Sequence, residues 1–154
     1  MRRTKFLYLF IPLIVAASLF GQEPPVGYLK AITGTAQILR QGETLQPKVG
    51  DKVFKNDVLR TGAKSSLGIT FRDDTLLSLG SNSQIVVNDF AFSPAEGKLS
   101  FVARILKGTV VYLSGVIGKL SPDAVRLQTP YANIGFRGTR VAIQIEGEAK
   151  NVIK

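Results

Sequence analysis

The 154-residue chain predicts a single all-β domain, compact and either twisted β-solenoid-like or sandwich-like, after an N-terminal signal segment. Apolar residues recur with period two far more often than with the helical period. Turn-forming residues return about every eight to twelve positions, as in sandwiches and barrels. The chain carries 15 glycines, which supply the positive φ that turns and bulges demand.

The first element is a leader. Arg2, Arg3 and Lys5 precede an uncharged run, Phe6 to Phe20 (FLYLFIPLIVAASLF), and Gly21-Gln22-Glu23-Pro24-Pro25 follows it. A basic start, an apolar middle and small residues at its end make a secretory signal, 1–21, with cleavage expected after Gly21 or Ser18. The run is short of the roughly 20 residues that span a bilayer, and Pro12 interrupts it. Uncleaved, it would be an N-terminal anchor that leaves the rest of the chain in the same compartment. The expected location is periplasmic or secreted, with membrane contact only through the signal segment. A linker is expected over 22–27, the domain over 28–148 and a tail over 149–154.

Within the domain, Leu67, Ile69 and Phe71 fall on one strand face and Thr70 and Arg72 on the other, before Asp73-Asp74 turns the chain. Leu77 and Leu79 alternate with Ser78. Gly80-Ser81-Asn82-Ser83 turns again into Gln84-Ile85-Val86-Val87. Leu99, Phe101, Ala103 and Ile105 alternate up to Lys107-Gly108, and Thr109 to Leu113 runs on behind that glycine. Val141, Ile143 and Ile145 alternate near the end. β-branched and aromatic residues suit a pleated, half-buried surface. Only Asp51 to Leu59 and Ala91 to Gly97 read as weak helical stretches, and both read equally well as loops; Ser93-Pro94 favours a turn start.

Composition excludes more than it suggests. There is no His, no Cys, no Trp, and the one Met is the initiator. The chain therefore has no imidazole base, thiolate, disulfide or soft zinc ligand, and no lipoprotein cysteine after the leader. No catalytic group, metal or cofactor is expected. Three of the 20 basic residues lie in the leader, which leaves 17 against 11 acidic ones, an excess of six. They stand singly, as at Lys30, Arg40, Lys48, Lys64, Lys98 and Lys119, without a basic run, so nucleic acid is not an expected partner.

Four spellings occur in order: Val49-Gly50-Asp51-Lys52-Val53, Leu59-Arg60-Thr61-Gly62, Gly68 to Thr75 (GITFRDDT) and Thr129 to Thr139 (TPYANIGFRGT). Together with Leu106-Lys107-Gly108-Thr109-Val110, this set resembles the FecR-domain family over roughly Tyr28 to Glu148. The family-motif positions are Gly50, Asp51, Thr61, Gly62, Asp73, Gly108, Thr129, Pro130, Arg137, Gly138 and Thr139, and structural roles are expected for them. The resemblance implies a periplasmic all-β module of envelope signalling proteins that relays a receptor's state to a sigma factor. Such proteins carry a cytoplasmic anti-sigma segment before a membrane helix. Only five residues precede the apolar run here, so relay to a sigma factor by this chain alone is not expected.

Two departures follow. Asp74 stands where the family hairpin has Gly, a position Asp tolerates in left-handed geometry. Family domains also continue past Arg-Gly-Thr through more than one strand, so a last strand is expected to be missing or completed by a partner.

The expected site roles are modest. Arg137 is expected to fix a turn by pairing with Asp51, Asp57 or Asp74. Asp73 and Asp74 are expected to face water rather than hold a cation. Tyr28, Tyr112 and Tyr131 are expected half-buried at strand edges rather than stacked on sugars. A non-catalytic envelope module that binds another protein through a free β-edge is the leading reading. The alternative is a binder of envelope glycans or other anionic polymers.

Overall fold

A computed structural model describes residues 23–135 and 137–145. The expected leader and tail lie outside them. Period-two segments become strands in chain order: β1 (Gly27–Thr33), β2 (Ala36–Arg40), β3 (Glu43–Leu45), β4 (Lys52–Val53), β5 (Val58–Thr61), β6 (Ser66–Phe71), β7 (Leu76–Leu79), β8 (Gln84–Ser93) and β9 (Lys98–Leu113). A short helix α1 (Val116–Leu120) and strands β10 (Val125–Gln128), β11 (Asn133–Ile134) and β12 (Arg140–Ile145) follow.

One strand organises the rest. The segments expected on either side of Lys107-Gly108 form a single strand of 16 residues, β9, which belongs to two halves of one curled sheet. Its first part pairs with β8 on one edge and, in parallel, with β10 on the other. Its second part pairs with β7 and β12. The first half-sheet runs β3-β2-β5-β8-β9-β10-β11 and the second runs β4-β1-β6-β7-β9-β12. The chain crosses repeatedly between the halves, winding as in a solenoid and closing a core as in a sandwich.

Alternation decides which side chains enter that core. From the second half come Leu29, Leu67, Ile69, Phe71, Leu77, Leu79, Val110 and Tyr112, and from the first Ile38, Leu59, Ile85, Val87, Phe101 and Ile105, all buried. Each such side chain contributes about 1.5–3 kcal/mol by leaving water. Phe101 sits at the seam, edge-on to Phe71 at 4.9 Å and to Tyr112 at 5.5 Å.

The two weak helical stretches resolve differently. Residues 51–59 hold β4, a turn and the start of β5, because Val53 and Leu59 both reach the core only in extended backbone. Residues 91–97 begin as the end of β8 and then take one 3-10 turn, Pro94–Glu96. The helix that does form, α1, was not expected. It has five residues and buries Ile117.

Candidate functional site

The family-motif residues lie at separate turns, and most of them tie one segment to another. At the first corner, Gly50 N–H donates to Leu29 O at 2.8 Å and Leu29 N–H donates to Asp51 O at 2.9 Å. The Asp51 carboxylate accepts Lys48 N–H at 2.8 Å. Together these hold the loop before β4 against β1.

A second knot lies where β5 ends. Thr61 Oγ1 donates to Gly80 O at 2.6 Å and accepts Ser83 N–H at 2.9 Å, and Gly62 N–H donates to Thr35 O. Ser83 Oγ accepts Thr109 N–H at 3.0 Å. Gly108 makes that approach feasible: its φ is +86°, and a Cβ there would meet Ser83 Cα at 2.5 Å. The bend of β9 between its two halves therefore needs a glycine at this position.

Asp73 departs from expectation. It is fully buried instead of facing water. Its carboxylate accepts Thr75 Oγ1–H at 2.7 Å, Thr75 N–H at 3.2 Å and Ile117 N–H at 3.2 Å. Its carbonyl accepts Val116 N–H at 2.7 Å. Three donors compensate the lost hydration of the carboxylate and anchor α1 over the β6–β7 turn. Asp74 alone faces solvent, with φ 63°, the left-handed geometry expected for it. Tyr112 is also fully buried rather than at an edge, because it alternates in step with Val110. Burial, reinforced by the Asp73 charge, pushes its phenol above the ordinary range despite Ser114 and Thr75. Tyr28 and Tyr131 are exposed rather than half-buried, Tyr28 on the outer side of β1 and Tyr131 in the Thr129 turn.

The last motif segment splits. Thr129 Oγ1 accepts Ala132 N–H at 3.0 Å and closes the turn that contains Pro130. Thr139 O accepts Ser114 N–H at 2.8 Å. Arg137 and Gly138 are exposed. Arg137 forms no ion pair among the described residues, and its three expected partners are otherwise engaged or distant from it in role: Asp51 caps its own turn, Asp74 faces water, and Asp57 belongs to Arg40. Arg40 donates through Nε and Nη2 to the two Asp57 oxygens at 2.8 and 2.7 Å, and Asp57 also accepts Phe54 N–H. That fork, which raises the Arg40 pKa first through its hydrogen bond to Asp57, is the inter-segment clamp expected of Arg137. Nothing in the local spelling around Arg40 marked it.

The arrangement offers exposed sheet edges. Sheet edges are exposed templates for another strand unless they are short, bulged or charged. β3 is three residues long and begins with Glu43. β1 is covered by β4 at Gly27 and Tyr28, and beyond that a bulge falls at Lys30. β12 has none of these devices. It pairs with β9 in unbroken register from Arg140↔Leu113 to Ile145↔Gly108, is uncharged after Arg140, and has no strand on its other edge among the described residues.

A family model described as FecR protein matches residues 57–153. The chain belongs to the FecR family. Its match takes in the Thr61, Asp73 and Gly108 ties as well as β12. No curated protein matches. A solved structure described as a cell surface anchoring domain is similar at 25% identity, covering 41% of this chain and 84% of that one, with a TM-score of 0.40.

Proposed function

We propose that this chain is a non-catalytic, exported envelope module that binds another protein by accepting a strand on the outer edge of β12. The open edge of β12 carries the reading. Over six residues of regular backbone, five of them uncharged, every second residue turns its amide and carbonyl away from β9, with no strand to meet them among the described residues. An added strand would satisfy that row and take its specificity from alternate side chains. Membership of a family of envelope regulators supports it. So does a sequence without His or Cys, which has no imidazole base and no thiolate nucleophile. The basic, apolar, small-residue order of the N-terminus supports export to the periplasm or beyond.

The experiment is photo-crosslinking in the envelope. A photoreactive side chain at Ala142 or Gln144, both exposed on β12, is expected to give an adduct with one discrete protein. The same group at Thr44 on β3 or at Lys64 is expected to give none. Equal adducts from all four positions, or none from β12, would overturn the reading.

A further inference from the structure

Four polar residues lie side by side across the first half-sheet, the last pair beside a bulge between Gln84 and Ile85. Gln37 on β2 lies opposite Arg60 on β5, Arg60 opposite Gln84 on β8, and Gln84 opposite Lys107 on β9. Three of them, Gln37, Arg60 and Lys107, line a cavity of about 270 Å³ together with residues that include Gln46, Thr61 and Ser83. Two cations and two amides line it, and no carboxylate does.

Arg60 is the unusual member. Its Nε is shut off from solvent, and among the described residues it has no hydrogen-bond acceptor and the side chain joins no ion pair. A charged donor withdrawn from water is costly until something accepts from it. Arg40, on the neighbouring strand, shows what satisfies a guanidinium in this fold, a carboxylate gripped by Nε and Nη2 together. The lining hydroxyls do not bond to Arg60: Thr61 and Ser83 are bonded to backbone groups. Strands lie about 4.8 Å apart, so Arg60 and Lys107, two strands distant, start about 10 Å from one another and can converge on one small group.

We propose that this cavity binds a compact oxyanion, a carboxylate or a phosphate group. A rotation of the Arg60 side chain brings its Nε, closed off in the free protein, onto the anion beside Nη, Lys107 adds a second positive charge, and Gln37 and Gln46 supply neutral amide donors. Strand pairing fixes the backbones of Arg60 and Lys107, so binding asks for side-chain reorientation only. The site lies on the first half-sheet and does not rest on strand addition at β12.

The test follows the Arg60 Nε–H resonance by NMR in the purified protein, titrated separately with inorganic phosphate and with acetate at constant ionic strength. A saturable shift with phosphate alone assigns the group to phosphoryl sources, one with acetate alone to carboxylates, and shifts with both to the shared chemistry. Arg60→Lys, which keeps the charge and loses the fork, is expected to weaken binding about tenfold or more, read from the Gln37 side-chain amide resonances. Lys107→Gln is expected to weaken it while leaving the Arg60 resonance responsive. The Arg60 side chain bonds to nothing else among the described residues, so Arg60→Gln is expected to melt no lower than the parent and serves as the folded control, its binding read from the Gln37 side-chain amide. No shift with either anion, or equal binding by Arg60→Gln, would overturn the proposal.

Discussion

The carboxylate of Asp73 accepts the amide proton of Ile117 at 3.2 Å, joining the β6–β7 turn to the first turn of a helix 44 residues further on. The same carboxylate holds Thr75 by its hydroxyl and its amide, so one buried side chain positions a turn and a helix at once. A five-residue helix is far below the length at which helices persist alone, and α1 depends on this anchor.

Replacing that carboxylate tests the dependence. Asp73→Asn keeps the shape but offers one acceptor where two stood and turns a donor toward donors. A loss of about 1–3 kcal/mol is expected for the buried groups left unmatched. Urea unfolding followed by circular dichroism reads it. Unchanged stability would show that α1 is held without the Asp73 carboxylate, by the Val116 bond to the Asp73 carbonyl and the packing of Ile117.

Gly108 and Gly42 have the same φ, +86°, and opposite surroundings. A Cβ at Gly42 meets nothing within 4 Å, while at Gly108 it meets the backbone and side chain of Ser83. Alanine at Gly42 is therefore expected to cost about 1–2 kcal/mol of left-handed strain. Alanine at Gly108 is expected to cost the same strain plus about 1–3 kcal/mol of overpacking. Equal effects in thermal melts of the two variants would mean that β9 does not need the close approach to Ser83.

Asp89 supplies a pH dependence. Its carboxylate is held below the usual range by hydrogen bonds first from Lys55 and then from Ser100. Because its folded pKa is depressed, its contribution is present above the unfolded pKa and is lost as pH falls through the folded one. Both members of the Lys55–Asp89 pair are about two-fifths exposed, so the effect is small and salt-sensitive. Denaturation midpoints measured from neutral to acid pH are expected to fall less for Asp89→Asn than for the parent. Parallel curves would remove Asp89 from the acid response.

Much of the fold was legible because period two survives in the spelling. The strands from Ser66 to Leu79 and from Arg140 to Ile145 sit where alternation puts them. Alternation also continues through the turn after Phe71, placing Asp73 and Thr75 on the core side, but two adjacent carboxylates suggest solvent and masked it. Lys107-Gly108 read as a break between strands because local spelling does not distinguish a turn from a bend within one strand. α1 left no periodic trace, since five residues are too few and its anchor lies far away in sequence. Of the interaction sites, Val141, Ile143 and Ile145 announced a strand. Whether it lies at an edge depends on the order of strands, which no local pattern encodes. Arg60 was visible only as a neighbour of Thr61, and its missing acceptor became apparent once β2, β5, β8 and β9 were placed side by side.

Strand addition at β12 leaves a mark that no other mode of contact shares, since alternate amides on an edge strand point away from its neighbour. Hydrogen exchange of Arg140–Ile145, compared between the free protein and the complex with the partner recovered by crosslinking, measures it directly. The account predicts that every second amide of β12, fast in the free protein, slows when the partner is bound. Exchange in β12 that stays unchanged while protection falls on another edge, or on a face of the sheet, would contradict it.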